Sequence, residues 1–130
     1  MSEPTPYERF GGAPFFEALV HDFYQYVAVD PVLRPMYPEE DLGPAERRFT
    51  MFLEQYWGGP GTYSEERGHP RLRMRHHPYT IDPEARDHWL ACMRVALSAR
   101  NLSQEDDAEI WTYLVSSAFA MVNTMDLPGV

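Results

Sequence analysis

Prolines and glycines cut this chain into pieces that helices of modest length can fill. Twelve prolines and eight glycines are spread through 130 residues, and the apolar residues between them recur at helical spacing. Pro14, just after Gly11-Gly12-Ala13, stands where a helix readily starts. From there Phe15, Phe16, Leu19, Val20, Phe23, Tyr24 and Val27 recur at three and four, which builds one apolar face. Asp30-Pro31 ends that piece, and a proline-rich turn runs through Pro35 and Pro38. A second helix from about Pro44 carries Ala45, Phe49, Phe52, Leu53 and Tyr56 on one face, until Gly58-Gly59-Pro60-Gly61 stops it. Residues 60–70 show no periodicity and read as loop. A short helix over Pro70 to His77 is predicted to stop at Pro78. Asp82-Pro83-Glu84 is a strong helix start, with a capping carboxylate, a proline at the first position and an acid near the dipole. The helix it opens turns Trp89, Leu90, Met93, Ala96 and Leu97 inward. Ser103 with Asp106 suggests a capping box for a last helix faced by Ile110, Leu114, Ala118, Met121 and Val122. No strand alternation competes, so the fold class is all-α.

The length fits a single domain over 1–130, long enough to bury roughly two-thirds of its unfolded surface. An apolar fraction of 44% argues against disorder. Aromatic residues make up 14% of the chain, which suits either a cavity for a large flat ligand or simply a ring-rich core. The net charge of −9 leaves nucleic acid an unlikely partner, because phosphate binding needs a basic stripe. One basic cluster stands out: Arg67, Arg71, Arg73 and Arg75, interleaved with His69, His76 and His77. All eleven basic residues are arginine, so Schiff-base, pyridoxal-phosphate and Walker-type lysine chemistry are excluded. Cys92 is the sole cysteine, which rules out an internal disulfide and a cysteine-rich metal site. Met1-Ser2-Glu3-Pro4 lacks the pattern of a signal peptide. The longest uncharged stretch, Trp111 to Met125, is too short and polar for a span of about 20 residues. A cytoplasmic protein without stable membrane insertion is the expectation.

Several chemistries find no support. The adjacent His76 and His77 point in different directions on a helix and cannot chelate one ion. No His-Glu-x-x-His motif and no Gly-x-Ser-x-Gly turn occurs. Glu39-Glu40-Asp41 and Glu105-Asp106-Asp107 read as solvated faces at helix starts. His21 and His88 fall on polar faces, and Cys92 reads as a small buried hydrophobe. A lone histidine such as His76 is more often solvated than a ligand, so its role stays open on pattern alone. Tyr24, Tyr37 and Trp89 are polar aromatics on apolar faces, each with a donor that is costly to bury unpaired. They either edge the core or converge on one inner point.

Taken together, certain stretches resemble a known family. They are Phe23-Tyr24, Val32-Leu33-Arg34-Pro35-Met36-Tyr37-Pro38 and Phe52-Leu53-Glu54-Gln55-Tyr56-Trp57-Gly58-Gly59-Pro60. They continue with Tyr63-Ser64-Glu65, Gly68-His69-Pro70-Arg71-Leu72-Arg73-Met74-Arg75-His76 and Trp89-Leu90-Ala91-Cys92-Met93. In this order and spacing the chain resembles the group II truncated haemoglobins of the actinobacterial oxygen-binding type, over essentially its full length. The resemblance implies a truncated globin, a two-over-two helical sandwich around a haem, with a very short first helix. It implies haem b (iron protoporphyrin IX) as cofactor and His76 as proximal iron ligand. It further implies Trp89, Tyr24 and Tyr37 as the distal trio, Ala45 and Phe49 over the bound ligand, and Arg48, Tyr63 and Arg75 at the propionates. Phe52, one turn on from Phe49, belongs to the same haem-covering wall.

Two positions depart from the commoner pattern. Ala45 stands where ordinary globins place a distal histidine, and Phe49 is bulkier than the Leu of close relatives. Polar stabilisation must therefore come from Trp89, Tyr24 and Tyr37. The function implied is binding of oxygen, nitric oxide or carbon monoxide at ferrous haem, held tightly enough for redox chemistry. Nitric oxide dioxygenation or peroxide turnover would need a separate, unidentified reductase. The alternative is a non-catalytic oxygen store or gas sensor.

Overall fold

The computed structural model of the chain describes residues 3–68 and 81–122. Among these every regular element is helical: α1 (Pro6–Phe10), α2 (Gly12–Val27), a 3-10 turn (Arg34–Met36), α3 (Gly43–Tyr56), α4 (Thr62–Arg67), α5 (Pro83–Ser98) and α6 (Gln104–Met121). The predicted helix over Pro70 to His77 lies outside the described residues.

Helix α1 is opened by a capping box in which the Thr5 hydroxyl accepts from the Glu8 N–H and the Glu8 carboxylate reaches back. Gly11 at φ 127° and Gly12 at φ 70° then let one helix end and the next begin without a connecting loop. Helix α2 therefore starts two residues before Pro14, which still sits in the first turn, where no backbone donor is needed. Its buried stripe is Phe15, Phe16, Leu19, Val20, Phe23, Tyr24 and Val27, the face that the spacing predicts. That stripe packs against both α3 and α5, and α5 packs in turn on α6. The helices thus form two pairs, α2 with α3 and α5 with α6, one laid over the other.

Local chemistry fixes the far pair. Asp82 caps α5 by accepting from the Ala85 N–H at 2.8 Å, with Pro83 at the first position. The Ser103 hydroxyl accepts from the Asp106 N–H at 3.1 Å and caps α6. Two acids of this first turn, expected to form a solvated face, are paired instead. Asp106 takes a 2.6 Å bond from Arg9, and Asp107 takes a bidentate pair from Arg94 at 3.0 and 2.6 Å.

Two further expectations are corrected. Residues 62–67 form α4 rather than loop; six residues are too few for periodicity to register. Tyr56 is not inward: it is 53% exposed and lies flat on Tyr113, with ring centroids 4.0 Å apart.

The end of α3 is sealed by close approach of backbone to ring. A Cβ built on Gly59 would meet Tyr7 Cδ2 at 2.6 Å and the Glu54 carbonyl oxygen at 2.8 Å. The Tyr7 ring cannot easily yield, because it stacks on the fully buried Phe16 at 5.6 Å and the backbone N–H of Tyr7 donates to the Trp57 carbonyl. Gly59→Ala should therefore cost about 1–3 kcal/mol of stability, the usual range for overpacking. Denaturant titration would check this, and an unchanged midpoint would contradict it.

Candidate functional site

Between the two helix pairs lies a cavity of about 540 Å³. Ordinary small-molecule and cofactor sites are about this large. Tyr24, Tyr37, Ala45, Arg48, Phe49, Phe52, Tyr63 and Trp89 all line it, so eight residues singled out from the sequence share one cavity. His76 and Arg75 lie outside the described residues.

The polar aromatics come from different elements. Tyr24 projects from the last turns of α2, Trp89 from the second turn of α5, and Tyr37 from the extended residue just after the 3-10 turn. The Tyr24 and Tyr37 rings meet edge to face at 5.7 Å, which brings the Tyr37 hydroxyl close enough to act on the Tyr24 phenol. Burial, and then the neighbouring Tyr37, push the Tyr24 phenol well above its ordinary value of 10.0. It therefore stays neutral and keeps a proton to donate throughout the physiological range. Phe23, fully buried, touches three of the cavity residues edge-on: Trp89 at 5.2 Å, Tyr24 at 5.1 Å and Phe49 at 5.8 Å. On the far side, Phe52 and Tyr63 meet edge to face at 5.6 Å.

The rim is cationic although the chain as a whole is acidic. Arg48 reaches the cavity from α3, its Nη2 3.9 Å from Glu39 Oε1. Arg67 and Arg86 also line the cavity, and neither was assigned there from the sequence. The Arg86 guanidinium lies over the Phe119 ring at 4.1 Å. Residue spacing could have marked Arg86, one turn before Trp89 on the same helix.

Asp30 is a second feature missed in the sequence. Its Oδ1 accepts from the Val32 and Leu33 N–H groups at 2.9 Å each, and both its oxygens lie within 3.1 Å of His88 Nδ1. His88 therefore does not simply face water: it ties the loop after α2 to α5. Cys92 is buried beside this pair, and burial pushes its thiol up to about 11, so it is inert as expected. Burial alone would raise the Asp30 carboxyl, but the bonds from His88, Leu33 and Val32 hold it below its ordinary value. The His88 imidazole is raised above 6.5 chiefly by its bond to Asp30, against the pull of burial. A raised imidazole contributes stability that is complete below 6.5 and is lost as pH climbs through the raised value. The native chain should thus keep its Tm advantage over His88→Gln below pH 6.5 and lose it progressively as pH rises above that. A pH-independent difference in the melts would refute the link.

A two-over-two sandwich closed around an aromatic cavity is the architecture of a truncated globin. A family model described as bacterial-like globin matches residues 5–123, and the chain belongs to that family. It is 42% identical over 119 residues to the group 2 truncated haemoglobin YjbI of Bacillus subtilis, covering 92% of this chain and 89% of that protein. The thermostable haemoglobin of the actinobacterium Thermobifida fusca superposes with a TM-score of 0.92 at 60% identity, over 93% of this chain and 98% of that one. The truncated oxygen-avid haemoglobin of Bacillus subtilis does so at 0.87 and 42% identity, over 92% and 100%. Globins of this family carry haem.

The cavity itself suits that group. A flat, mostly apolar macrocycle needs ring-lined walls, which Phe49, Phe52 and Tyr63 provide. Its two carboxylates need cations at one edge, which Arg48 and Arg67 supply on an otherwise acidic protein. No helix among the described residues is long and apolar enough to cross a membrane.

Proposed function

We propose that the chain holds haem b in this cavity through His76 and binds a diatomic gas, oxygen foremost, under hydrogen bonds from Trp89, Tyr24 and Tyr37. The observation that carries this reading is that those three side chains line one cavity, whose other walls are largely apolar and whose rim carries arginines. When bound, haem supplies a ferrous iron that takes up the gas. The chain's own residues decide how firmly the gas stays. An indole N–H only donates, so Trp89 favours a ligand that gathers negative charge. In the Tyr24–Tyr37 pair one hydroxyl hydrogen serves the contact between the two rings' oxygens and the other is left to donate to the gas. Ala45 and Phe49 offer no polar group, so the hydrogen bonding falls to the trio. Arg48, Tyr63 and Arg75 pair with the propionates, and Phe52 continues the wall.

Donors of this number hold oxygen too firmly for delivery. The reading is therefore redox chemistry on oxygen and nitric oxide, or turnover of peroxide, with electrons from a separate reductase in the cytoplasm. A relative of known structure is called oxygen-avid, which accords with it. Visible spectra of the purified protein, then reduced, then under carbon monoxide, test the proposal alongside His76→Ala. An intense Soret band should shift at each step and be weakened or altered in the variant. A colourless protein that refuses added hemin would end the proposal.

A further inference from the structure

Tyr37 is the one member of the trio that does not sit on a long helix. It follows a three-residue 3-10 turn, in a stretch where residues 37–40 make no helix of their own. Something else must fix it to the precision that a hydrogen bond to a small ligand demands.

That something is a chain of side-chain bonds. Arg34 opens the 3-10 turn, and its guanidinium curls back under the segment that follows. Nη1 donates to the Tyr37 carbonyl at 3.0 Å, and Nη2 donates to the carbonyls of Glu39 and Glu40 at 2.9 and 3.0 Å. Among the described residues, every hydrogen bond that the Arg34 guanidinium donates goes to a backbone carbonyl and none to a carboxylate. A planar fork with fixed donors can hold several carbonyls in one geometry, which a flexible ammonium cannot. The root of the same segment is tied separately. Asp30 receives the N–H groups of Val32 and Leu33 and accepts from the imidazole of His88, one residue before Trp89. The Arg34 N–H itself donates to the Asp30 carbonyl at 3.0 Å. The frame thus runs from α5 beside Trp89, through Asp30 and Arg34, to the backbone of Tyr37.

We infer that Arg34 is a positioning residue for the distal side: it acts through Tyr37, holding that hydroxyl where it meets Tyr24 and the ligand, while Asp30 and His88 set the frame against Trp89. The inference rests on the reading of the cavity as the ligand space, and its first test does not depend on haem. Backbone amides of residues 36–43 should exchange with deuterium about tenfold faster in Arg34→Met, while those of α2 and α5 keep their native rates. Arg34→Lys, which keeps the charge but gathers its donors on a single nitrogen in place of the planar fork, should fall between. Exchange that is unchanged in Arg34→Met, or raised everywhere, would overturn the frame.

The second test separates positioning from general loosening. In the haem-loaded protein, Tyr37→Phe, Arg34→Met and the double variant form a cycle read by oxygen off-rate and by the carbon monoxide stretching band. If Arg34 acts through Tyr37, the band should broaden or split in Arg34→Met, and the double variant should release oxygen no faster than Tyr37→Phe alone. Off-rate effects that simply multiply would show that Arg34 acts elsewhere and would overturn the assignment. A failure of the haem reading would show instead as a missing Soret band with the exchange pattern intact.

Discussion

Trp89→Phe should release oxygen roughly ten- to a hundredfold faster than the native chain, the worth of one hydrogen bond to a ligand bearing charge. Phenylalanine keeps one aromatic ring against Phe23 and Phe49 while removing the N–H and part of the indole, so most of the wall should survive. Stopped-flow displacement of oxygen by carbon monoxide measures the rate directly. The same variant should lose little stability, because Trp89 is only half-buried and its packing partners remain. An off-rate equal to the native one would mean that the indole N–H does not reach the ligand, and the donor argument would fail for this residue. Tyr37→Phe should have the smaller effect of the two. It leaves the Tyr24 hydroxyl without its partner but still able to turn toward the ligand.

The opposite pattern is expected of Phe23→Ala. Phe23 is fully buried on α2, and its ring supports Tyr24, Phe49 and Trp89 from behind. Truncating a buried phenylalanine costs about 3–5 kcal/mol, part lost transfer energy and part cavity. In a domain of this size that lowers Tm by roughly 10–20 °C. Melts of the haem-loaded protein followed by far-ultraviolet circular dichroism would show it, with Phe23→Leu much milder. A loss under about 1 kcal/mol would mean that the wall collapses readily around the gap, contrary to the close ring contacts.

These two outcomes reflect how differently the two layers of the cavity were legible in the sequence. Phe23 announces itself: its place in the α2 stripe follows from spacing at three and four, and the structure buries that stripe as read. Asp82-Pro83 is equally plain, because capping and proline geometry are local properties. The members of the cavity wall could be named from a resemblance, and the structure brings the described ones together. The bonds that fix them could not. Asp30 and His88 are 58 residues apart, and nothing in either neighbourhood marks the other. Arg34 sits among the prolines of a turn, where an arginine reads as solvated until its guanidinium is seen against three carbonyls. Helix α4 escaped for a different reason. Six residues between Gly61 and Gly68 make fewer than two turns, although Glu65 near its start and Arg67 at its end suit a helix dipole.

The cavity wall has one more property, which concerns descent rather than chemistry. On the proposed reading its load and its selectivity fall to separate residues: Phe23 carries the packing, while Tyr37 follows a segment whose backbone is held by Arg34 and, at its root, by Asp30. A lineage bearing this arrangement can exchange the residue at position 37, or shift the segment by altering Arg34, without disturbing the helices that keep the chain folded. On that reading, gas preference can change by single substitutions in this segment while the buried stripe of the helices stays as it is.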